Sequence, residues 1–418
     1  MRRRWRQRTA RGPALRNAGG AGGTAGRHGH AGIRRPGTAL AGRHAPVRRD
    51  PADLVGRHGL EPAGSPVTGV GTLVWEAQPG EADGPLRLAP VRRAALPADA
   101  GTTDVRVRFS ALCGSDTSKL CSDSWGGPIP EGWVPGHEVV GIDDTTGNWV
   151  AVNPLVGCDA CAECVLGRIH LCPSLRRIGW DLPGGLAESV RVPVRNAVPL
   201  PAGAPDPVVF VLADPVAVAL HGVRCGLQAP PSSGTSRLGV IGAGTLGICT
   251  AVVAAQAGWD VLLTTRRPEH EARLRALLAG TSVTVCPTPG LPAGACDAVV
   301  DAASGHSPAP LLQALEAVRD GGTVLVQNAY APQVQLPTPV REVFRRSLTV
   351  RGSYSYCRAN DRDDFRDALQ LLDQDAGSAW ATALISTRYP LAWLPDALNA
   401  LRPDVARRPL KVLLTSRS

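Results

Sequence analysis

Four cysteines, Cys158, Cys161, Cys164 and Cys172, follow a C-x2-C-x2-C-x7-C spacing. Thiolates this close in sequence can surround one tetrahedral zinc ion and clamp the loop that carries them. Disulfides are the alternative use of such a set, disfavoured in a reducing compartment. With four protein ligands the coordination shell is full, so the ion would be structural. Three more candidate ligands are scattered: Cys113 in Cys113-Gly114-Ser115-Asp116, His137 in Gly136-His137-Glu138-Val139-Val140-Gly141, and Asp214 before Pro215. Each has a plain structural reading as well, Asp214 as a helix N-cap ahead of a proline and Cys113 as a buried apolar thiol.

A second chemistry is written in Gly242-Ala243-Gly244-Thr245-Leu246-Gly247, which follows the apolar run Leu238-Gly239-Val240-Ile241 and opens an alanine-rich stretch of helical length. In that context Gly242 permits a tight turn, Gly244 lets backbone approach a pyrophosphate, and Gly247 lets helix and strand pack closely. Thr245 and Leu246 open the helix, whose unpaired N–H groups would face the phosphates. An acid at the end of the next strand would bind the ribose 2′-hydroxyl of NAD, but the sequence there is Thr264-Thr265-Arg266-Arg267, and Asp260 comes too early. Thr265 with Arg266 or Arg267 suits a 2′-phosphate, which predicts NADP(H) over NAD(H); solvated loop arginines are the alternative.

Taken in order along the chain, the C-G-S-D and G-H-E-V-V-G motifs, the four-cysteine lobe, Pro183-Gly184-Gly185-Leu186-Ala187-Glu188, residues 214–221 and the Gly242 fingerprint resemble the zinc-containing medium-chain alcohol dehydrogenases. That family includes sorbitol, threonine and sugar dehydrogenases, and the resemblance covers residues 72–418. It implies that Cys113, His137 and Asp214 bind a catalytic zinc, a second ion beside the structural one. Glu138 matches a position that coordinates zinc in some members. Asp116 would orient the His137 ring, and Ser115 would pass a proton between substrate and solvent. A zinc with one open position acts as a Lewis acid on an alcohol or ketone oxygen while hydride moves to or from the nicotinamide. Members commonly carry a histidine five residues after the cysteine ligand; here it is Ser118, which leaves Lys119, the cofactor ribose or water for the outer proton route. His221 reads as a packed helix residue. Cys121, Cys225, Cys249, Cys286, Cys296 and Cys357 lack ligand spacing and read as small apolar side chains.

Several elements must position these groups. Residues 72–212 show short, alternating β-like runs broken by Gly and Pro, as in a partly solvated antiparallel barrel. Residues 213–345 alternate apolar runs with helix-length segments, the pattern of a parallel sheet. Residues 346–418 return to short strands with one helix near 365–372, and the last run, Leu410-Lys411-Val412-Leu413-Leu414, would close back onto the first part. The expected fold is therefore α/β: a GroES-like β-barrel catalytic domain (72–212, completed by 346–418) plus a Rossmann doubly wound parallel-sheet domain (213–345).

The formal charge of +9 is uneven: residues 1–71 carry a net +11 and the remainder −2. The leading segment, rich in Arg, Gly, Ala and Pro, reads as a disordered basic extension. It is a polyanion-binding arm, a tail without function, or upstream coding sequence preceding a start near Val67 or Val70. Arginine outnumbers lysine 43 to 2 across the chain, as in a GC-rich genome. No uninterrupted apolar run reaches the roughly 18 residues of a membrane span, and a cytoplasmic enzyme without membrane or nucleic-acid partners is expected. The reading is a homodimeric or homotetrameric NADP(H)-linked alcohol dehydrogenase or ketone reductase. Its substrate would be a sugar-, polyol- or aminocyclitol-like molecule, with aminoglycoside antibiotic biosynthesis as a refinement. The rivals are an NAD-linked sorbitol- or threonine-type dehydrogenase and an inactive zinc-binding protein with a nucleic-acid arm.

Overall fold

In the computed structural model the run at 237–241 is a strand, Arg237–Ile241, and its neighbours follow the parallel pattern the sequence suggested. The structure describes residues 72–78, 87–94, 99–121, 131–204, 206–227, 236–287, 290–303, 305, 307–336, 340–359, 361–402, 405 and 408–416. The basic extension 1–71 lies outside them. All described residues fall in one compact unit, Leu54–Ser418.

Six parallel strands form the second sheet. Its order is Val283–Cys286, Asp260–Thr264, Arg237–Ile241, Cys296–Asp301, Val318–Val326 and Thr349–Gly352. The chain runs outward in one direction and then restarts on the other side of Arg237–Ile241. That reversal opens a crevice at the strands' carboxyl ends, where such sheets bind ligands. The last strand of this sheet, Thr349–Gly352, pairs in parallel with Val318–Val326. It therefore belongs to the parallel sheet and not to the closing segment that a boundary at 345/346 implied; four residues with no internal alternation carry no sign of which sheet they join.

The other large sheet is built around Thr102–Leu112, an eleven-residue strand long enough to serve three partners. It pairs antiparallel with Glu138–Asp143, Ser189–Pro193 and Lys411–Thr415. The final strand thus does close back onto the first part of the chain, and it carries Ile385–Pro390 beside it. Between residues 353 and 416 the structure has helices at Asp364–Asp373, Asp375–Leu384 and Leu394–Ala400, where the sequence suggested one. The two missed helices are short, and their apolar residues interleave with Gly, Ser and Pro, which hides the helical period.

A continuous helical stretch, Pro207–Gly226, joins the two sheets and is long and apolar enough on average to cross a membrane, although Asp214, His221 and Arg224 interrupt its apolar run. Most of it is buried inside the protein. Val208, Val209, Phe210, Val211, Leu212, Val216 and Ala217 pack in one core with Ala111 and Val140 of the antiparallel sheet and Leu238 and Val240 of the parallel one. An all-round apolar helix is what burial between two sheets requires.

Candidate active site

Cys113 directly follows the long strand Thr102–Leu112, and Asp116 lies in the first turn of the helix Gly114–Cys121. The Asp116 carboxylate turns back to accept the Cys113 backbone N–H at 3.1 Å, fixing the turn between strand and helix. It is fully buried, and its other oxygen faces His137 Nδ1 at 3.3 Å, an ion-pair separation without full hydrogen-bond alignment. A carboxylate behind one ring nitrogen leaves the other nitrogen to face a metal, the role assigned to Asp116.

His137 precedes the strand Glu138–Asp143, and glycines set its approach. Gly136 has φ of +99°, and a side chain on Gly184 would meet Gly136 O at 2.3 Å. Gly184, Gly185 and Leu186 donate their N–H groups to Val134 O, Gly136 O and Pro135 O. The Pro183–Glu188 motif is thus a backbone splint beside the histidine, which only residues lacking Cβ atoms can approach this closely.

One ligand atom each from Cys113, His137 and Glu138 lies within 4.8 Å of the others. His137 and Glu138 are buried, and neither carboxylate oxygen of Glu138 has an aligned hydrogen bond among the described residues. Burial disfavours the charged His137 ring, yet the Asp116 carboxylate and Cys113 raise its pKa well above the usual value. The same anions would attract a divalent cation. A soft thiolate, an imidazole and a carboxylate form a donor set that suits zinc. Asp214, in the first turn of Ala213–His221, stands near enough to feel the His137 charge, although it lies outside this close trio. Its Oδ1 accepts the Tyr356 hydroxyl at 3.0 Å, and desolvation raises its pKa.

Gly242 and Gly247 make the tight turn and the close packing that their order suggested. Gly242 has φ of +103° and lies against Ala303, so a Cβ there would sit 2.9 Å from its atoms. A Cβ on Gly247 would strike Gly242 O at 1.7 Å. Gly244 differs: it is exposed at the N-terminus of the helix Thr245–Gln256, with nothing within 4 Å of the place a Cβ would fill. Space at that point, beside unpaired helix N–H groups, is room for an anion.

The chain is similar to known dehydrogenases. Residues 99–202 match the alcohol dehydrogenase GroES-like domain. L-galactonate-5-dehydrogenase of Escherichia coli is 29% identical over 70% of this chain and 85% of its own length. D-altritol 5-dehydrogenase of Agrobacterium fabrum is 31% identical over 69% of this chain and 85% of its own. A zinc-binding dehydrogenase from Sinorhizobium meliloti, solved with NADP bound, superposes with a TM-score of 0.68 at 24% identity, covering 82% of this chain and 99% of that one. The chain belongs to the zinc-containing medium-chain alcohol dehydrogenase family. It is accordingly an NAD(P)-dependent oxidoreductase, with a GroES-like part and a Rossmann part.

In this dehydrogenase Ile241 and Thr264 are register partners, so Thr265, Arg266 and Arg267 follow the second strand beside the Gly242 turn. Thr265 is buried and its hydroxyl accepts the Arg267 N–H at 3.2 Å, while Arg266 is exposed. Asp260, at the strand's start, is bonded to Arg237 Nε at 2.8 Å. Thr245 sits at the helix N-terminus, its hydroxyl donated to Leu410 O at 3.3 Å; Leu246 is half-buried beside it.

Cys158, Cys161, Cys164 and Cys172 are free thiols whose sulfurs lie within 4.8 Å of one another. The Cys161 N–H points at Cys158 Sγ and the Cys164 N–H at Cys161 Sγ, 3.4 and 3.5 Å away. Such N–H donors, from Ala160 and Cys161, bring the Cys158 pKa down to about 6, while burial holds Cys164 up at about 12.

Sequence reasoning missed three groups around the first site. Lys411, fully buried, pairs with the Glu138 carboxylate. Tyr356 spans Asp214 and Asn153. Trp180 lies 6.3 Å from the His137 ring and, with Trp133, sandwiches the Lys119 ammonium at 4.7 and 4.6 Å. Ser115 and Ser118 are half-buried on the same helix as Lys119. One signal for Lys411 was available: it is one of two lysines in an arginine-rich chain, set at the head of an apolar strand.

Proposed function

We propose that the protein is a zinc-dependent alcohol dehydrogenase or ketone reductase that moves hydride between NADP(H) and a secondary alcohol or ketone of a sugar-, polyol- or aminocyclitol-like substrate. The observation that carries this reading is the convergence of Cys113, His137 and Glu138 within 4.8 Å. Cys113, His137 and Asp214 would hold the catalytic ion, with Glu138 a ligand that can exchange with substrate or water. Cys158, Cys161, Cys164 and Cys172 would hold the structural ion. When bound, the catalytic zinc supplies a Lewis acid for the substrate oxygen.

The protein's own groups do the rest. Asp116 orients His137, Tyr356 holds one oxygen of Asp214, and Ser115 is placed on the helix after Cys113 to take or give the substrate proton. Gly242, Gly244, Thr245, Leu246 and Gly247 would receive the pyrophosphate. Thr265, Arg266 and Arg267 would receive the 2′-phosphate, supported by the exposure of Arg266 beside the glycine turn and the absence of an acid at that strand end.

The relatives are named for L-galactonate and D-altritol, which supports a polyhydroxylated substrate. Aminoglycoside tailoring is the narrower reading, resting on the arginine-rich composition of a GC-rich source. The change of sheet on either side of the helical stretch Pro207–Gly226 supports a domain split near 212/213. The edge strand Thr349–Gly352 is exposed along its length, and Val340 and Phe344 beside it are about four-fifths exposed, which supports assembly into a homodimer or homotetramer. Free thiols in a metal-ligand array support a cytoplasmic setting.

Purified full-length protein should contain zinc at both sites and should turn over polyols, aldonates and aminocyclitols with NADP(H) faster than with NAD(H). Zinc missing from the Cys113 site, together with no turnover across the panel, would refute the enzyme reading. Preference for NAD(H) would refute the cofactor assignment alone.

A further inference from the structure

Apart from the two sites above, one other cluster of metal-ligating side chains stands out among the described residues. His221, Cys357 and Asp364 are all buried, and each offers a ligand atom within 4.8 Å of the other two. The chain reaches this point from three directions. His221 ends the helix Ala213–His221, where a π-helical turn, Gly222–Gly226, takes over; such turns recur at functional sites. Cys357 follows Tyr356, and Asp364 opens the helix Asp364–Asp373.

We propose that this cluster is a further binding site for a zinc-type divalent cation, with His170 as an additional ligand. His221 Nδ1 lies 3.0 Å from Asp364 Oδ2, and the same oxygen accepts the Cys357 N–H at 3.1 Å. Asp364 thus stands behind His221 as the carboxylate that holds one ring nitrogen and leaves the other for the ion, with Cys357 and His170 as the further ligands. The His170 and His221 rings meet in a T-shaped contact with centroids 4.8 Å apart; His170 lies outside the close trio, and its Nδ1 is buried without a hydrogen-bond partner among the described residues. A buried imidazole nitrogen left unpaired costs free energy that a bound ion would recover. Imidazole and thiolate donors together favour zinc over hard cations such as magnesium.

Charge supports the same occupant. Arg224 contacts both Asp364 and Asp367, at 3.2 and 2.5 Å, so this group carries two carboxylates against one guanidinium. Binding would release the Cys357 proton to solvent, placing a thiolate beside the divalent ion. The site would tie the four-cysteine lobe, which carries His170 and accepts the Arg358 N–H at Gly167 O, to the helix that carries Asp214.

The test uses the full chain and zinc alone. Wild type, Cys357→Ser and His170→Ala are stripped, reloaded with Zn2+, dialysed and analysed for metal and protein, with folding checked by circular dichroism. The wild type should retain one zinc per chain more than Cys357→Ser, and His170→Ala should hold that ion more weakly. Equal zinc content in folded wild type and Cys357→Ser would overturn the proposal. Should Cys357→Ser fold poorly, Co2+ titration of the wild type and the half-buried His170→Ala decides. A further equivalent beyond the Cys113 and four-cysteine sites, weakened in the variant, supports the site. Saturation at those two sites alone overturns it.

Discussion

Lys411 and Glu138 form an ion pair sealed beneath the candidate metal site, the lysine 1% and the glutamate 2% exposed. Burial raises the Glu138 pKa while Lys411 and His137 oppose that rise, and Glu138 and Cys113 in turn lift Lys411 against its own desolvation. A compact ammonium fits here where a planar guanidinium would need more room and more acceptors. In a chain with 43 arginines, lysine at this place is a matter of shape as well as charge.

Removing one partner of such a pair leaves the other charge buried alone, a loss of about 3–5 kcal/mol. Lys411→Met should therefore lower the denaturant midpoint strongly, and Lys411→Met with Glu138→Gln should recover most of the loss. A double-mutant cycle measures this directly. Additive losses would show that the pair is not coupled.

Tyr356→Phe removes the hydroxyl held 3.0 Å from Asp214 and 3.2 Å from Asn153. Asn153 Oδ1 keeps the Leu155 N–H, but Asp214 Oδ1 loses its described partner. Partners behind metal ligands are worth about 10- to 100-fold in metal affinity. Timed chelation of zinc-loaded protein should strip an ion held at the proposed Cys113 site faster from Tyr356→Phe, with one held at the proposed four-cysteine site leaving at its wild-type rate. Identical release of both ions would remove Tyr356 from this role.

Gly244→Ala and Gly247→Ala should fail in opposite ways. An added methyl at Gly244 meets open space, so thermal stability should hold within about 1 kcal/mol while the KM for the nicotinamide cofactor rises several-fold. At Gly247 the methyl meets Gly242 O at 1.7 Å, and the protein should be destabilised or fail to accumulate. A stable Gly247→Ala would contradict the close approach of helix and strand.

Arg266→Ala tests the cofactor assignment. A charge-assisted hydrogen bond contributes about 1.5–3 kcal/mol, so kcat/KM with NADPH should drop roughly 10- to 150-fold while that with NADH changes little. Parallel loss with both cofactors would place Arg266 outside the 2′-phosphate site.

Much of this was legible in the residues because their chemistry is local. The thiols from Cys158 to Cys172 meet through one short loop, and Gly242 to Gly247 mark a turn whose demands are set within six residues. The apolar run Leu238-Gly239-Val240-Ile241 disclosed the strand Arg237–Ile241. The edge strand Thr349–Gly352 and the helices Asp375–Leu384 and Leu394–Ala400 escaped because short or Gly-, Ser- and Pro-broken segments leave no period to read.

Residue type and spacing by themselves determined which groups were fit to hold metal and nucleotide, since thiolates, imidazoles and Cβ-free turns carry those capacities wherever they lie. Only the tertiary structure decided their company. It brought Tyr356 to Asp214 across 142 residues and Asp364 to His221 across 143, and set Lys411 against Glu138 through the pairing of the last strand with Thr102–Leu112. Contacts at such separations leave no spacing to count. They follow from which faces of sheet and helix must exclude water together, and that is fixed by the packing of the whole chain.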